Sequence, residues 1–292
     1  MLEFPSFLNI PLRNAIDIIM DWVLHNLGAA FDAIGNVILQ IILFIENTLK
    51  VIPWFVIILV IFGIVWWATR KWWLGLILAL LFGLIGTFGH ASATPYWDLA
   101  MSTLAVVITG VFISLALGIP TGILMARSNT FQSVLKPVLD AMQTMPSFVY
   151  LVPAVMLFGL GLVPAVFATV IYSVPPVIRL TNVGIRQVSP SVVEAAKAFG
   201  SNPWQMLTQV QIPLAVPSIM VGINQTTLAA LAMVVISSMI GARGLGQEVL
   251  LAINRQEPGR AFEAGLSIVI IAIVIDRVTA AVATRQRRAT TG

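Results

Sequence analysis

Long apolar stretches, separated by short polar segments, run through most of this chain. A helix needs about 20 apolar residues to cross a hydrocarbon core of about 30 Å, and the stretches approach that length at seven places. The pattern therefore predicts an all-α, polytopic membrane protein. The predicted crossings are 54–68, 72–88, 99–125, 148–162, 165–180, 216–240 and 266–283.

The segment from residue 10 to residue 49 follows a different pattern. Carboxylates such as Asp17, Asp32 and Glu46 interrupt its apolar positions at spacings that leave an apolar face on a helix. This is typical of an amphipathic helix, or a pair of helices, lying at a membrane interface. The alternative is a further crossing over 34–45, but about twelve residues span only about 18 Å.

Composition agrees with a bilayer as the natural solvent. Hydrophobic residues make up 59% of the 292 residues and charged residues 10%, with a mean hydropathy of +0.97, so a soluble fold could not hide its apolar surface. The first residues lack the features of a cleavable signal peptide, which predicts insertion by internal crossings. Without cysteine, and with His25 and His90 far apart, no metal cluster is predicted. The basic residues form no stripe with interleaved aromatics, so nucleic acid is not predicted as a partner.

The charges between the predicted crossings indicate their orientation. If the crossings alternate, ten basic residues fall on one side, which the positive-inside rule assigns to the cytoplasm. Most acidic residues fall on the opposite side, the N-terminus is expected outside, and the C-terminus is expected in the cytoplasm. The ten basic residues are Arg70, Lys71, Arg127, Lys136, Arg179, Arg186, Lys197, Arg285, Arg287 and Arg288.

One polar segment, 189–213, lies on the predicted cytoplasmic side between two crossings. Ser191 and Glu194 have the spacing of a capping box, which predicts a helix that starts just after Pro190. Gly200 permits the left-handed turn that ends such a helix. We therefore expect a short helix followed by a glycine turn.

A second short helix is predicted after that turn. Asn202 followed by Pro203 is an N-terminal signal, and Pro213 is expected to stop the helix. The two helices are too polar for lipid and still carry apolar residues, which indicates either a ridge for a partner's groove or an interfacial hairpin without a partner. The ridge residues are Val193, Ala196, Phe199, Trp204 and Leu207.

The same segment resembles the signature loop of binding-protein-dependent ABC permeases. Two positions depart from the usual pattern, Val210 for isoleucine and Ile212 for leucine, and both keep an aliphatic side chain of similar volume. The resemblance implies that the loop, with Phe199 on its ridge, seats in a partner ATPase. The matching residues are Glu194, Ala195, Ala196, Gly200, Val210, Ile212 and Pro213.

Seven further segments carry a closer resemblance: 140–146, 148–153, 175–181, 205–207, 222–226, 241–247 and 276–277. Together they resemble the ProU-type permeases for glycine betaine and proline betaine. The resemblance covers roughly residues 97–282, whereas the N-terminal part resembles that group in plan more than in motif.

This resemblance implies a five-helix permease core of the MetI-like type I importer fold, plus N-terminal scaffold helices, in the bacterial inner membrane. We expect interfacial helices over 1–52, two additional crossings over 53–92, and the core over 93–292. The implied partners are a second copy, two ATPase subunits and an extracytoplasmic binding protein. The chain lacks a glycine-rich phosphate loop, so ATP and Mg²⁺ are expected on the partner ATPase and no cofactor in this chain.

Two groups of residues are candidates for a translocation pathway. Aromatic and methionine side chains could hold a quaternary ammonium by ring faces, although such residues at helical spacing more often pack. Polar residues inside an apolar crossing either line a pathway or hydrogen-bond between helices, and the second role is commoner. The candidates are Met142, Met145, Phe148, Tyr150, Tyr172, Asn224, Gln225 and Thr226.

Three alternatives stay open at this level. The substrate of the permease could be choline, carnitine or ectoine. An ion-coupled secondary transporter would need an ionisable residue inside the membrane, yet Asp98, Asp140 and Asp276 are predicted near the ends of crossings and no inverted repeat is apparent. A membrane enzyme would need a convergent catalytic set, and the sequence indicates none.

Overall fold

The computed structural model describes residues 12–89 and 94–291, with side chains over 13–89 and 94–281. The described residues form helices and connecting turns and contain no β-strand, which confirms the predicted all-α class. The α-helices are α1 (Leu12–Val51), α2 (Trp54–Thr69), α3 (Trp72–Leu84), α4 (Tyr96–Arg127), α5 (Asn129–Thr144), α6 (Leu151–Phe158), α7 (Leu162–Arg186), α8 (Pro190–Ala198), α9 (Pro203–Gln205), α10 (Ile212–Ile236), α11 (Leu245–Asn254) and α12 (Pro258–Thr291).

The centre of the molecule is a close pair of parallel helices, α4 and α7. Small residues set their distance: a Cβ placed on Gly118 would lie 2.4 Å from Val177, and one on Gly122 would lie 2.6 Å from Thr181. Nearer the end at which both helices begin, the buried hydroxyls of Ser114 and Ser173 hydrogen-bond at 2.9 Å. Each contact pairs residues 59 positions apart, so the two helices run in register and both end at the same face of the bundle.

Helix α10 packs against α7 in the opposite direction. Gly184, near the end of α7, faces Ser218, near the start of α10. Gly222, one turn further along α10, faces Val177, which lies earlier in α7. The end of α7 and the start of α10 therefore lie at one face, and the loop 189–213 is suspended there. Helix α12 completes the bundle beside α10, with α2 and α3 on its outer side.

Five of the described helices are long and apolar enough to cross a membrane. Four of them, α4, α7, α10 and α12, fall on predicted crossings; the fifth is α1. Helices α2 and α3 also match predicted crossings but are shorter, at 16 and 13 residues.

The predicted crossing over 148–162 is wrong as a continuous helix. The chain instead forms α5, a 3₁₀ turn at Ser147–Tyr150 and the eight-residue α6, and the two halves of this pair are bent by 111°. Pro146 immediately precedes the turn and cannot donate a helical hydrogen bond, and Gly159, at φ +73°, ends α6. Hydropathy alone could not show that α6 ends at Phe158, because the residues that follow Gly159, including Leu160, Leu162 and Val163, are also apolar.

Helix α1 is one continuous 40-residue helix, although the pattern also allowed a pair. Phe31 packs edge-on against Phe158 at 5.8 Å, and Glu46 accepts a hydrogen bond from Ser102 at 2.7 Å. Phe158 and Ser102 both lie at the end of the bundle where α7 and α4 begin. The fifteen or so residues between the two contacts span about 22 Å, so α1 runs across that end and not alongside α4. Its position at a membrane interface stays a prediction.

Candidate functional site

The first helix of the loop 189–213, here the candidate coupling loop, begins earlier than the capping box predicts. Ser189 is the N-cap residue and Pro190 takes the first helical position; no side chain caps the helix. Ser191 instead shares a 2.8 Å hydrogen bond with Ser189. The prediction of a Ser191–Glu194 capping box is therefore wrong, because proline at the first helical position, with its preset φ, moves the start of the helix upstream.

Gly200 ends this helix as predicted. Its φ is +82°, the Gly200 N–H donates to the Lys197 carbonyl at 2.9 Å, and the Ser201 N–H donates to the Ala196 carbonyl at 3.1 Å. These are the two hydrogen bonds of a Schellman C-cap. No atom lies within 4 Å of a Cβ built on Gly200, so its backbone conformation, and not lack of space, favours glycine there.

The second helix also starts where the sequence indicates. The Asn202 side chain accepts from the Gln205 N–H at 2.8 Å, and the Gln205 side chain accepts from the Asn202 N–H at 2.9 Å. This reciprocal capping box was present in the sequence as asparagine followed three residues later by glutamine, and the sequence interpretation used only its first half.

Pro213 does not stop the second helix. After α9 the chain passes through a π-helical segment, Met206–Gln211, directly into α10, and the Ile212 N–H donates to the Leu207 carbonyl five residues back. Pro213 lies in the first turn of α10, where a missing N–H is tolerated. Because of the wider π turn, the helix continues past Pro213 without a break. The second half of the loop is therefore continuous with the long helix α10.

The predicted ridge is divided between solvent and core. Helix α8 has no buried residue, and Phe199 and Trp204 are 92% and 66% exposed. Leu207 is buried and packs with Ala215 and Ile219 instead. Val193 and Ala196 are only partly buried, so this nine-residue helix gains little stability from the rest of the chain, and short helices are marginal by themselves in water. This is consistent with a ridge that needs a partner, and the ridge itself stays a prediction.

Arg186 anchors the base of the loop, a role that the sequence did not reveal. From the last turn of α7 its guanidinium donates to Asn182 at 3.0 Å, to Asn129 at 2.8 Å and to the Met125 carbonyl at 2.9 Å. These contacts join α7 to the turn between α4 and α5. Arg186 therefore ties the start of the loop to the end of α4 and the start of α5.

The aromatic pathway candidates do not form one cage. Tyr150 is buried, its hydroxyl donates to the Met142 carbonyl, and its ring lies 5.9 Å from that of Tyr172. Met145 and Phe148 are 40% and 58% exposed on the surface of the isolated chain. Packing accounts for the first three residues, and the last two lie apart from them.

The polar candidates on α10 also separate. Asn224 donates to Asp276 of α12 at 3.1 Å and accepts from Thr279, so it links two helices. Gln225 is exposed. Thr226 is fully buried, and its hydroxyl has no partner among the described residues. Interhelical hydrogen bonding therefore explains Asn224 but not its two neighbours.

The depth predicted for Asp276 is wrong. Its partner Asn224 lies at the middle of α10, so this carboxylate lies about halfway along the bundle and not near the end of a crossing. The sequence shows how many residues separate Asp276 from the end of the last apolar stretch. It does not show how α12 is tilted or shifted along its axis relative to α10. One of the reasons for setting aside an ion-coupled carrier is thus removed, and the comparisons with known proteins decide the class.

Comparison with protein families gives a match over residues 118–288 to the binding-protein-dependent transport system inner membrane component family. The matched range contains the whole candidate coupling loop and all of α7 and α10.

Several curated relatives match over most of their length. The chain is 47% identical to the glycine betaine/carnitine transport permease protein GbuB of Listeria monocytogenes, over 95% of this chain and 97% of that protein. It is 43% identical to the glycine betaine transport system permease protein OpuAB of Bacillus subtilis, over 92% and 93%. It is 44% identical to the glycine betaine/proline betaine transport system permease protein ProW of Escherichia coli, over 94% and 75%.

Solved structures share the fold. An inward-facing structure of the MetNI methionine ABC transporter aligns with a TM-score of 0.59 at 19% identity, over 68% of this chain and 96% of that chain. An amino acid ABC transporter crystallised with histidines aligns with a TM-score of 0.53 at 24% identity, over 68% and 98%. These similarities confirm the predicted MetI-like permease fold. By the family match and by its relatives, the chain belongs to the inner membrane components of binding-protein-dependent transport systems.

Proposed function

We propose that this chain is the membrane-spanning subunit of an ATP-driven importer for glycine betaine and related betaines. The observation that carries the substrate is the identity of 43% to 47%, over more than nine-tenths of the chain, to three permeases named for glycine betaine transport. The observation that supports the transport mechanism is the loop helix α8, which ends in a Schellman C-cap and has no fully buried residue.

The exposed half of the loop is the surface for the ATPase. Glu194, Ala195 and Ala196 lie on α8, and Phe199 beside Gly200 presents an apolar side chain to solvent. A helix of this kind fits a hydrophobic groove on a partner, with its aromatic residue as the anchor.

The other half of the signature transmits the movement. Val210 lies in the π segment, and Ile212 and Pro213 lie in the first turn of α10. All three are partly buried and continue into the helix that packs on α7. When ATP closes the ATPase pair, the loop moves as a rigid lever and shifts α10 and α7 between inward-open and outward-open arrangements.

Two copies of the chain, two ATPase subunits and an extracytoplasmic binding protein make up the proposed transporter. ATP and Mg²⁺ are bound by the ATPase, and this chain itself performs no chemistry. Structures of the same fold belong to ABC transporters, which supports the assembly.

The proposed topology places the coupling loop in the cytoplasm of a bacterial cell, at the inner membrane. Arg127, Arg186 and Lys197 lie at the loop end of the bundle, as the positive-inside rule requires. Residues 1–52 are then extracytoplasmic, with α1 lying across the outer ends of α4 and α7. Residues 53–92 supply two further crossings, the core follows from residue 93, and the C-terminus is cytoplasmic.

Part of the predicted pathway is retained in this proposal. Met145, Phe148 and Gln225 are exposed on the isolated chain and are available to line a passage between two copies. Met142, Tyr150 and Tyr172 hold α5, the turn before α6, and α7 together, and Asn224 joins α10 to α12. Thr226 is buried and its hydroxyl has no partner among the described residues, so it would meet a substrate only when the helices around it separate.

The test is uptake of radiolabelled glycine betaine into proteoliposomes that contain this chain, its ATPase and its binding protein, with and without enclosed ATP. We expect accumulation that depends on ATP and that excess choline does not prevent. If betaine is not accumulated while another loaded binding protein still stimulates ATP hydrolysis, the permease assignment holds and the betaine assignment is wrong.

A further inference from the structure

A basic cavity lies where the coupling loop meets the helical core. It has a volume of about 300 Å³ and opens between the ends of α4 and α7 on one side and residues of the loop on the other. Three of its lining residues, Arg127, Arg186 and Lys197, are cations, and none is acidic. All three side chains are exposed, so the cavity opens to its surroundings with three positive charges at its rim.

The three cations are not neutralised by carboxylates. Arg186 donates hydrogen bonds to two side-chain amide oxygens and one backbone carbonyl, and all three acceptors are uncharged. Arg127 and Lys197 make no ion pair with the described side chains, which cover 13–89 and 94–281. Like charges gathered in one cavity repel each other, and a bound anion would relieve that repulsion.

A basic residue at the end of a helix is ordinary, because it complements the negative end of the helix dipole. Arg127 ends α4, Arg186 ends α7 and Lys197 lies in the last turn of α8. The helix dipole does not explain why three helix ends from separate parts of the chain meet at one cavity that no acidic residue lines.

The remaining walls of the cavity indicate the kind of anion. Ser201 and Gln211 add hydrogen-bonding groups, whereas Ile185 and Met206 add apolar surface. A phosphate group attached to an apolar body matches this mixture. The cavity also lies at the ends of two membrane-crossing helices, which is the depth of lipid headgroups, and basic cavities between helices on the cytoplasmic side suit such headgroups.

We propose that this cavity binds a phosphate-bearing anion, the headgroup of an anionic phospholipid from the cytoplasmic leaflet. The bound phosphate bridges Lys197 on α8 and Arg127 on α4, and so holds the coupling loop against the core. Lipid charge thereby adjusts how firmly the loop is held.

The test measures lipid retention by the purified full chain with native mass spectrometry, using dioleoyl-phosphatidylglycerol and dioleoyl-phosphatidylcholine. The wild type is expected to retain phosphatidylglycerol in preference. Since a basic residue near an anionic surface contributes roughly a fivefold change in affinity, Arg127→Gln and Lys197→Gln should each weaken retention of phosphatidylglycerol about fivefold. Lys136→Gln is the matched control, because Lys136 is an exposed basic residue of α5 outside the cavity, and it should leave retention unchanged.

Each other outcome contradicts the lipid proposal. Equal retention of the two lipids, or equal losses in all three variants, means that the cavity has no specific role. If radiolabelled inorganic phosphate binds in equilibrium dialysis and displaces phosphatidylglycerol, the ligand is free phosphate. If neither binds and the two cavity variants instead weaken binding of the ATPase, the cavity receives an acidic side chain of that partner.

Lys197 lies on a helix without a buried residue, so the Lys197→Gln variant is expected to fold even if Arg127→Gln does not. The measurement needs no transport, so its result is independent of the betaine assignment.

Discussion

The core pair α4–α7 and the candidate coupling loop differ in how closely their residues are packed by the rest of the chain. In the core, Gly118 and Gly122 bring two helices so close that added Cβ atoms would overlap Val177 and Thr181. In the loop, α8 has no fully buried residue, and Phe199 is 92% exposed. The core derives its stability from contacts within the chain, whereas the loop is held mainly by its caps and leaves its apolar residues exposed, as the proposed ATPase interface requires.

This difference indicates where sequence changes act. A substitution in the core alters the free energy of unfolding, because its neighbours cannot move away. A substitution in the exposed part of the loop leaves the chain folded and alters what it can bind or move. Four predictions test this division, from the largest expected effect to the smallest.

Gly122→Leu should prevent normal folding. A Cβ at this position would lie 2.6 Å from the Thr181 Cβ and 2.7 Å from the backbone oxygen of Ile178, and such overpacking costs about 3 kcal/mol or more. The yield of monodisperse protein in size-exclusion chromatography measures the effect. Gly63→Leu is the control, since nothing lies within 4 Å of its Cβ position. Equal yields of the two variants would show that α4 and α7 can separate without loss.

Gly200→Leu should abolish ATP-driven uptake while the chain still folds and inserts. The positive φ of +82° costs a non-glycine residue about 1–2 kcal/mol, which is enough to misalign a short loop and too little to unfold the core. Uptake into proteoliposomes is the measurement. Gly200→Asn should keep most activity, because asparagine tolerates this conformation. Normal uptake by the leucine variant would contradict the role given to the turn.

Phe199→Ala should leave the unfolding temperature of the isolated chain unchanged, because the side chain is 92% exposed. Its affinity for the ATPase should fall about tenfold, as expected for the loss of an aromatic anchor. Phe262→Ala is the matched control, being 72% exposed on α12 near the outer end. A lower unfolding temperature, or an unchanged affinity, would place Phe199 outside the interface.

Asp140→Asn should have the smallest effect. The carboxylate pairs with Arg179 across α5 and α7, but the two side chains are 50% and 33% exposed, and exposed pairs contribute about 0.2–1 kcal/mol. Denaturant unfolding of the purified chain measures this difference, with Asp98→Asn as the control, because Asp98 makes no ion pair with the described side chains. A loss as large as that of Gly122→Leu would mean that this pair stabilises the fold far more than its exposure allows.

Local signals predicted local structure well. The left-handed turn at Gly200, the start of a helix at Asn202 and the apolar lengths of α4, α7, α10 and α12 follow from conformational preference and from the thickness of a bilayer. Where two local signals competed, the outcome was not predictable. Pro190 displaced the capping box of Ser191, and Pro213 was absorbed by a π turn because helix continuity outweighed one missing hydrogen bond.

The sequence by itself determined that this protein is an all-helical membrane permease with a candidate coupling loop between two crossings, because apolar run lengths, capping residues and the family signature are all local in the chain. Only the tertiary structure decided that α5 and α6 form a bent pair, that α1 crosses the end of the bundle where α4 and α7 begin, and that Asp276 meets Asn224 at mid-depth. Hydropathy records how apolar a residue's neighbours in the chain are. It does not record which distant helix satisfies a polar group or covers an apolar one, and that depends on the packing of the folded chain.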